Sequence, residues 1–287
     1  MSTQFVSVSD LAEALEGENP PAVLDASLEL HAAEFDGDYR ITSGRARWLA
    51  GHVPGSQHVD VASQFSDIDS RLHYAHPEPQ EIADELARLG IAQGRKVVVY
   101  DTTGTMFAAR LWYLLRWIGV EVRVLDGGLK EWKARGFEVA QGEETPPAPV
   151  SSWPASAVRR AWVSKAELQE RSTDVPLVCS LPAAQFTGSA PSRYSRRGRI
   201  PDSVNVSSRD HFDSDGTIKS RVELILAYDA AGIAAQSAGE ILLYCGGGVS
   251  AAAGALALAE IGVNAVRVYD GSLEEWSADP ALPIAVG

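Results

Sequence analysis

Cysteine is scarce in this chain, with two residues in 287. Two thiols cannot build a disulfide framework, so a secreted, cross-linked scaffold is excluded and the fold must rest on buried apolar surface. Long apolar runs are missing as well. The longest weakly polar stretch, Ala251 to Val263, contains Glu260 and falls short of the roughly 20 residues that span a bilayer. The opening MSTQFVSVSDLAEALEG has no basic segment leading into an apolar one, so no signal peptide is expected. Positive charge is in deficit too: 25 Lys and Arg face 38 Asp and Glu, for a formal net charge of −13. That balance excludes general nucleic-acid binding, which needs cationic surface to displace counterions. A cytoplasmic protein with no membrane contact is the expectation.

What the chain does hold is length, apolar content and a repeat. At 45% hydrophobic, 287 residues suffice for two domains with a core each. The segment VVVYDTTGTMFAARLWYLLRWIGVEVRVLDGGLKEW, Val97 to Trp132, returns as ILLYCGGGVSAAAGALALAEIGVNAVRVYDGSLEEW, Ile241 to Trp276. Tyr100-Asp101 matches Tyr244-Cys245, Asp126-Gly127 matches Asp270-Gly271, and Trp132 matches Trp276. Gly51 to Val61 returns as Gly198 to Ser208, and AVLDAS near Val23 returns as PLVCSL near Val178. Blocks that recur in one order mean a duplicated domain. The Pro-, Ser- and Glu-rich run Ala140 to Ser156 is linker chemistry, so domains are expected at 1–142 and 157–287.

Within each unit, apolar runs alternate with helical stretches. Lys96 to Tyr100 and Ile241 to Tyr244 read as strands buried on both faces. Met106 to Ile118 and Ser250 to Ile261 read as helices, followed by strands over Val120 to Leu125 and Ala265 to Tyr269. The alternation predicts an α/β fold in which each domain is a mostly parallel sheet covered by helices on both faces. In such sheets ligands bind beyond the carboxyl ends of strands, which is where Cys245 falls.

The segment Cys245-Gly246-Gly247-Gly248-Val249-Ser250 joins that strand to a helix. Successive glycines can adopt backbone angles closed to other residues and turn their N–H groups inward as an anion nest, beside the positive end of the next helix. N–H bonds to sulfur there would lower the thiol pKa from its free value of about 8.5. Taken alone, Cys245 also fits a small buried core residue. The duplicate tips the balance. The first copy carries Asp101 and Thr-Thr-Gly-Thr at this point, so one thiol site in the second half, walled by the first, is expected. Arg193, Arg196, Arg197 and Arg199 fall within seven residues. They fit a solvated basic loop, or the cations that hold an anionic donor against the overall negative charge, which salt screens over about 8 Å.

Gly51-His52-Val53-Pro54-Gly55, Tyr100-Asp101, Leu125-Asp126-Gly127-Gly128 with Trp132, Tyr244-Cys245, and Tyr269-Asp270-Gly271-Ser272 with Trp276 together resemble the tandem-domain rhodanese family. That family includes thiosulfate and 3-mercaptopyruvate sulfurtransferases, and the resemblance covers nearly the whole chain. It implies an inactive first domain and a persulfide on Cys245. Sulfur would pass from a small anionic donor to a small thiol, a thioredoxin-like protein or cyanide, with no metal and no cofactor. The loop is closer to the Cys-Gly-Ser/Thr-Gly-Val-Thr-Ala of mercaptopyruvate enzymes than to the Cys-Arg-Lys-Gly-Val-Thr of thiosulfate enzymes. The resemblance further implies substrate contacts from Arg193, Arg196 or Arg197, and from His76, lent by the first domain, with Asp60 upstream. The chain departs from the family at Gly247, where a hydroxyl is usual, at Gln185, where Arg is usual, and at Cys179, where Asp is usual.

Two other readings stand beside this one. A cysteine phosphatase of the same fold would need an Arg six residues after the Cys to clamp phosphate, and Ala251 stands there. A persulfide-carrying or redox module serving a protein partner is motivated by Gln185 and Cys179. Cys179 itself fits either buried filler or a resolving thiol that attacks oxidised or persulfidated Cys245, because both end strands at one sheet edge.

Overall fold

The computed structural model describes residues 4–287. The first half supplies β1 (Phe5–Val6), β2 (Ala22–Asp25), β3 (Leu28–Leu30), β4 (Ile41–Ser43), β5 (Gln57–His58), β6 (Val97–Tyr100) and β7 (Val122–Leu125). The second supplies β8 (Trp162–Val163), β9 (Leu177–Cys179), β10 (Val204–Asn205), β11 (Ile241–Tyr244) and β12 (Val266–Tyr269). Two five-stranded sheets result, in the orders β1-β7-β6-β2-β5 and β8-β12-β11-β9-β10. Every pairing within them is parallel. The orders coincide element for element, as the sequence repeat demands.

The central strands β2, β6, β11 and β12 are buried along their whole length. Continuous Val, Ile and Leu runs of this kind are what a parallel sheet covered on both faces requires. Helix Met106–Trp117 follows β6 and helix Val249–Glu260 follows β11. These equivalent helices pack on each other, so the two units meet through the same element. The sequence VSAAAGALALAE explains the choice: a helix apolar all round must be enclosed. One apolar cluster therefore runs through both units, with Trp112 and Leu115 of one and Leu256 and Leu258 of the other fully buried.

The antiparallel hairpin β3–β4 lies outside the main sheets, and no sequence signal announced it. In the Pro-rich stretch after residue 139, Ala140 and His52 exchange backbone hydrogen bonds and Val150 N–H donates to Ala87. No helix among the described residues is long and apolar enough to cross a membrane.

Candidate active site

Cys245 is the first residue beyond β11 and is 2% exposed. It opens onto a cavity of about 250 Å³ between the two units. The second unit lines it with Cys245, Gly246, Gly247, Val249 and Ser250, and the first with Leu28, Tyr74, Thr103, Met106 and Phe107. The first half is therefore a wall of the site, and β3 contributes to it.

The loop is fastened from behind by Ser272. Its hydroxyl accepts N–H bonds from Cys245 (3.0 Å) and Gly248 (3.3 Å) and donates to the Tyr269 carbonyl (2.7 Å). Glu274 N–H donates to the Gly246 carbonyl at 2.9 Å. The three glycines differ in what they do. Only Gly248 has the left-handed backbone, at φ +77°, that excludes side chains, and a Cβ there would also lie 2.6 Å from Asp270 Oδ1. Gly246 is needed for close approach, because a Cβ would overlap the Tyr194 phenol. At Gly247 a Cβ would meet nothing nearer than the end of Glu274, at 3.3 Å. The expectation that all three use special backbone angles is corrected to one.

The duplicate loop shows what such a loop binds. Asp101 turns its carboxylate back into its own loop and accepts N–H bonds from Thr103 (2.8 Å), Thr105 (2.9 Å) and Ala108 (2.8 Å). Burial nonetheless pushes its carboxyl above the ordinary range, against the pull of those donors. Counted from the strand end and from the start of the helix, the counterparts of Thr103 and Ala108 in the second copy are Gly247 and Ala251. Their N–H groups make no hydrogen bond to a protein acceptor among the described residues, Cys245 Sγ included. Several direct N–H bonds to the resting sulfur were expected and do not form.

The arginine cluster separates into different jobs. Arg196 spends its guanidinium on the carbonyls of Trp276, Ser277, Asp279 and Leu282, closing the end of helix Ser272–Ala278. Arg197 is paired with Asp36 at 2.8 Å. Arg193 alone of the three lines the Cys245 cavity, steadied by the His31 carbonyl; it forms no ion pair among the described residues, though its charge helps hold the Asp38 carboxyl down. A second cation, missed in the sequence, is Arg209, which lines the same cavity and whose guanidinium has no hydrogen bond or ion pair among the described residues. Gln185, in the position where Arg is usual, lines the cavity too.

His76 does not line the cavity. Its N–H donates to Asp270 Oδ2 at 2.7 Å, while its ring stacks on Trp162 at 4.6 Å and meets the edge of Trp117. Asp60 caps helix Val61–Gln64 through Ala62 N–H, at 2.9 Å. Cys179 is paired in register with Tyr244, and in-register residues of a parallel sheet share a face. Tyr244 Oη accepts from Ile200 N–H (3.1 Å) and meets Ser203 Oγ (2.8 Å), as Tyr100 Oη does with Val53 (3.3 Å) and Ser56 (3.1 Å). Cys179 occupies the place of Asp25 beside that hydroxyl, and burial pushes its thiol up to about 12. Cys245 stands one residue on, past the end of the strand, and its charge also acts on Cys179; both thiols are free.

An ion pair crosses between the units directly behind the loop. Arg110, fully buried in helix Met106–Trp117, donates to Asp270 Oδ1 at 2.6 Å and to the Tyr74 carbonyl, with its guanidinium 4.9 Å from the Trp162 ring centre.

A rhodanese-like domain model matches residues 7–135 and 188–279. The 3-mercaptopyruvate sulfurtransferase of Escherichia coli K12 is 32% identical over 243 residues, which is 83% of this chain and 84% of its own length. The mitochondrial thiosulfate/3-mercaptopyruvate sulfurtransferase 1 of Arabidopsis thaliana is 31% identical over 261 residues, 83% of this chain and 68% of its own. The crystal structure of the E. coli enzyme SseA superposes with a TM-score of 0.80 at 28% identity, covering 94% of this chain and 99% of that one. The chain belongs to the rhodanese-like family. Two copies of the domain, with relatives at this similarity, make it a tandem-domain sulfurtransferase.

Proposed function

We propose that Cys245 carries sulfur as a persulfide, loaded from a small anionic donor and discharged to a small thiol or to cyanide. The two copies of the loop carry this assignment. Asp101 places its carboxylate oxygens two bonds beyond Cβ, where three N–H groups take them. The outer sulfur of a Cys245 persulfide also stands two bonds beyond Cβ, where the N–H groups of Gly247 and Ala251 are otherwise without acceptors. The loop is thus suited to the anion formed after transfer more than to the resting thiol. In the first step the Cys245 thiolate attacks the donor's terminal sulfur, and the broken bond's electron pair leaves with the donor remnant. In the second, the acceptor attacks the outer sulfur and Cys245 departs as the thiolate.

Arg193 and Arg209 supply forked donors for a carboxylate or a sulfonate-like group. The names of the relatives support 3-mercaptopyruvate or thiosulfate as the donor. A nucleophile 2% exposed in a cavity of about 250 Å³ favours small molecules over a docking protein surface. Intact mass spectrometry tests the assignment. Incubation with either donor should add one sulfur, about 32 Da, removable by cyanide and absent in Cys245→Ser. No gain from either donor would overturn small-donor loading and favour a protein persulfide as the source.

A further inference from the structure

We infer that Tyr74 of the first unit recognises the sulfur donor, donating a hydrogen bond from its phenol to the group that departs as Cys245 takes the sulfur. This role rests on the persulfide assignment above and assigns a residue that no motif indicated. Tyr74 is 4% exposed and lines the Cys245 cavity. Its Oη is buried without a hydrogen-bond partner. The phenol of Tyr39 approaches it closely enough to interact, without forming a well-aligned hydrogen bond. An orphaned hydroxyl of this kind is rare in a folded interior. Thr103 Oγ1, on the same cavity, is orphaned as well.

The backbone adds an independent sign. Tyr74 sits at φ +59°, in the left-handed region, an uncommon and costly conformation for an aromatic residue that persists only where its surroundings enforce it. Here they do. Glu274 accepts from His73 N–H (3.1 Å) and pairs with its ring, Arg110 holds the Tyr74 carbonyl, and Asp270 holds His76 N–H (2.7 Å). The segment from Asp270 to Glu274 that clamps this turn also fastens the nucleophile loop, through Ser272 and Glu274 N–H. One stretch of the second unit therefore fixes both Cys245 and Tyr74, so their relative position is set by design of the interface rather than by chance packing.

Burial pushes the Tyr74 phenol up to about 12, so at neutral pH it is a hydrogen donor and not a phenolate. When the Cys245 thiolate attacks, negative charge grows on the donor remnant, on an enolate oxygen for an α-keto thiol or a sulfite oxygen for thiosulfate. A fixed donor at that point stabilises the transition state more than the ground state. The interaction remains a hydrogen bond, and no proton need leave the phenol.

Tyr74→Phe removes the hydroxyl alone. Half-reactions are separated by following Cys245 loading by rapid-quench mass spectrometry, and discharge of preloaded protein by cyanide. Loading should slow roughly ten- to a hundredfold, the size of one hydrogen bond to a charged group, with discharge changed less than threefold. The melting temperature should hold within a degree or two or rise, because no well-aligned hydrogen bond is lost. Unchanged loading in Tyr74→Phe, or an equal fall in both half-reactions with a lowered melting temperature, would overturn the role. A wild-type protein that takes up no sulfur would instead bring down the persulfide assignment, and this role with it.

Discussion

Writing the first copy's residue into the second, Cys245→Asp, probes the nest directly. Asp101 accepts three N–H bonds in its own loop. At Cys245 two equivalent donors, on Gly247 and Ala251, are available, while the third, on Gly248, is held by Ser272 at 3.3 Å. Two hydrogen bonds to a charged group contribute about 3–6 kcal/mol at ~1.5–3 kcal/mol each. That offsets an effective burial cost of several kcal/mol for the carboxylate. Burial pushes the Asp101 carboxyl up against the pull of its donors, and with the two opposing contributions of similar size a net loss of about 2 kcal/mol is expected. In a chain of this size that lowers the melting temperature by up to about 8 °C. A carboxylate buried without donors would cost about 3–5 kcal/mol. The deciding comparator is Cys245→Asn, the neutral isostere, measured by scanning calorimetry at neutral pH. Ordinary burial favours Asn over Asp, whereas an anion nest favours Asp. If the Asn variant melts at or above the Asp variant, the loop is not a nest and the comparison of the two copies fails.

Gly248→Ala should lower stability by about 1–2 kcal/mol through its left-handed backbone, plus displacement of Asp270. Gly247→Ala, facing only the end of Glu274, should cost measurably less, and equal losses in thermal melts would contradict this division. Arg209→Gln and Arg193→Gln should each raise the donor KM and flatten its salt dependence, while Arg196→Ala should lower the melting temperature without moving that KM. Steady-state kinetics at two ionic strengths read the difference, and an unchanged KM in both of the first two variants refutes the cation assignment. Burial holds His211 neutral and lowers its pKa to about 4 from 6.5. Unfolded chains take up that proton below about 6.5 and folded ones do not, so stability falls as pH drops from 6.5 toward 4, by about 3 kcal/mol at ~1.36 kcal/mol per unit. His211→Phe should flatten that limb of a denaturation series, and an unaltered slope would exclude His211 as its source.

Strand and helix positions were legible because each is a short-range pattern, and each was written twice. Helix Met106–Trp117 and strand Ile241–Tyr244 fall within a residue of where alternation puts them. The backbone path that sets Cys245 and its glycine loop between a strand and a helix was legible for the same reason. The site was not legible where it depends on how irregular segments fold. Arg193, Arg196 and Arg197 are near neighbours in sequence, yet one faces the cavity, one caps a helix and one meets Asp36. His76 drew attention by its chemistry, but the turn presents Tyr74, two residues earlier, to the cavity. Nothing in one sequence marks that residue. For Arg209 there was a faint sign, a lone cation shortly after the Gly198 to Ser208 block.

The interface explains why a domain without a nucleophile is kept. Asp126 and Asp270 are equivalent residues, and each reaches into the other unit. Asp270 takes Arg110 and His76 N–H, and Asp126 takes Ile218 N–H at 2.8 Å. Each loop is thus walled by a segment of its neighbour, and neither cavity is complete within one unit. At the first loop the N–H groups are already taken by the Asp101 carboxylate. At the second the loop N–H groups are open, and the wall that closes the cavity includes Leu28, Tyr74, Thr103, Met106 and Phe107. Splitting the chain at the linker would remove that wall and bare the apolar faces of helices Met106–Trp117 and Val249–Glu260. Under the proposed persulfide chemistry the asymmetry between Asp101 and Cys245 is a division of labour: one copy satisfies its own loop and becomes scaffold, so that the other can leave its loop unsatisfied for sulfur.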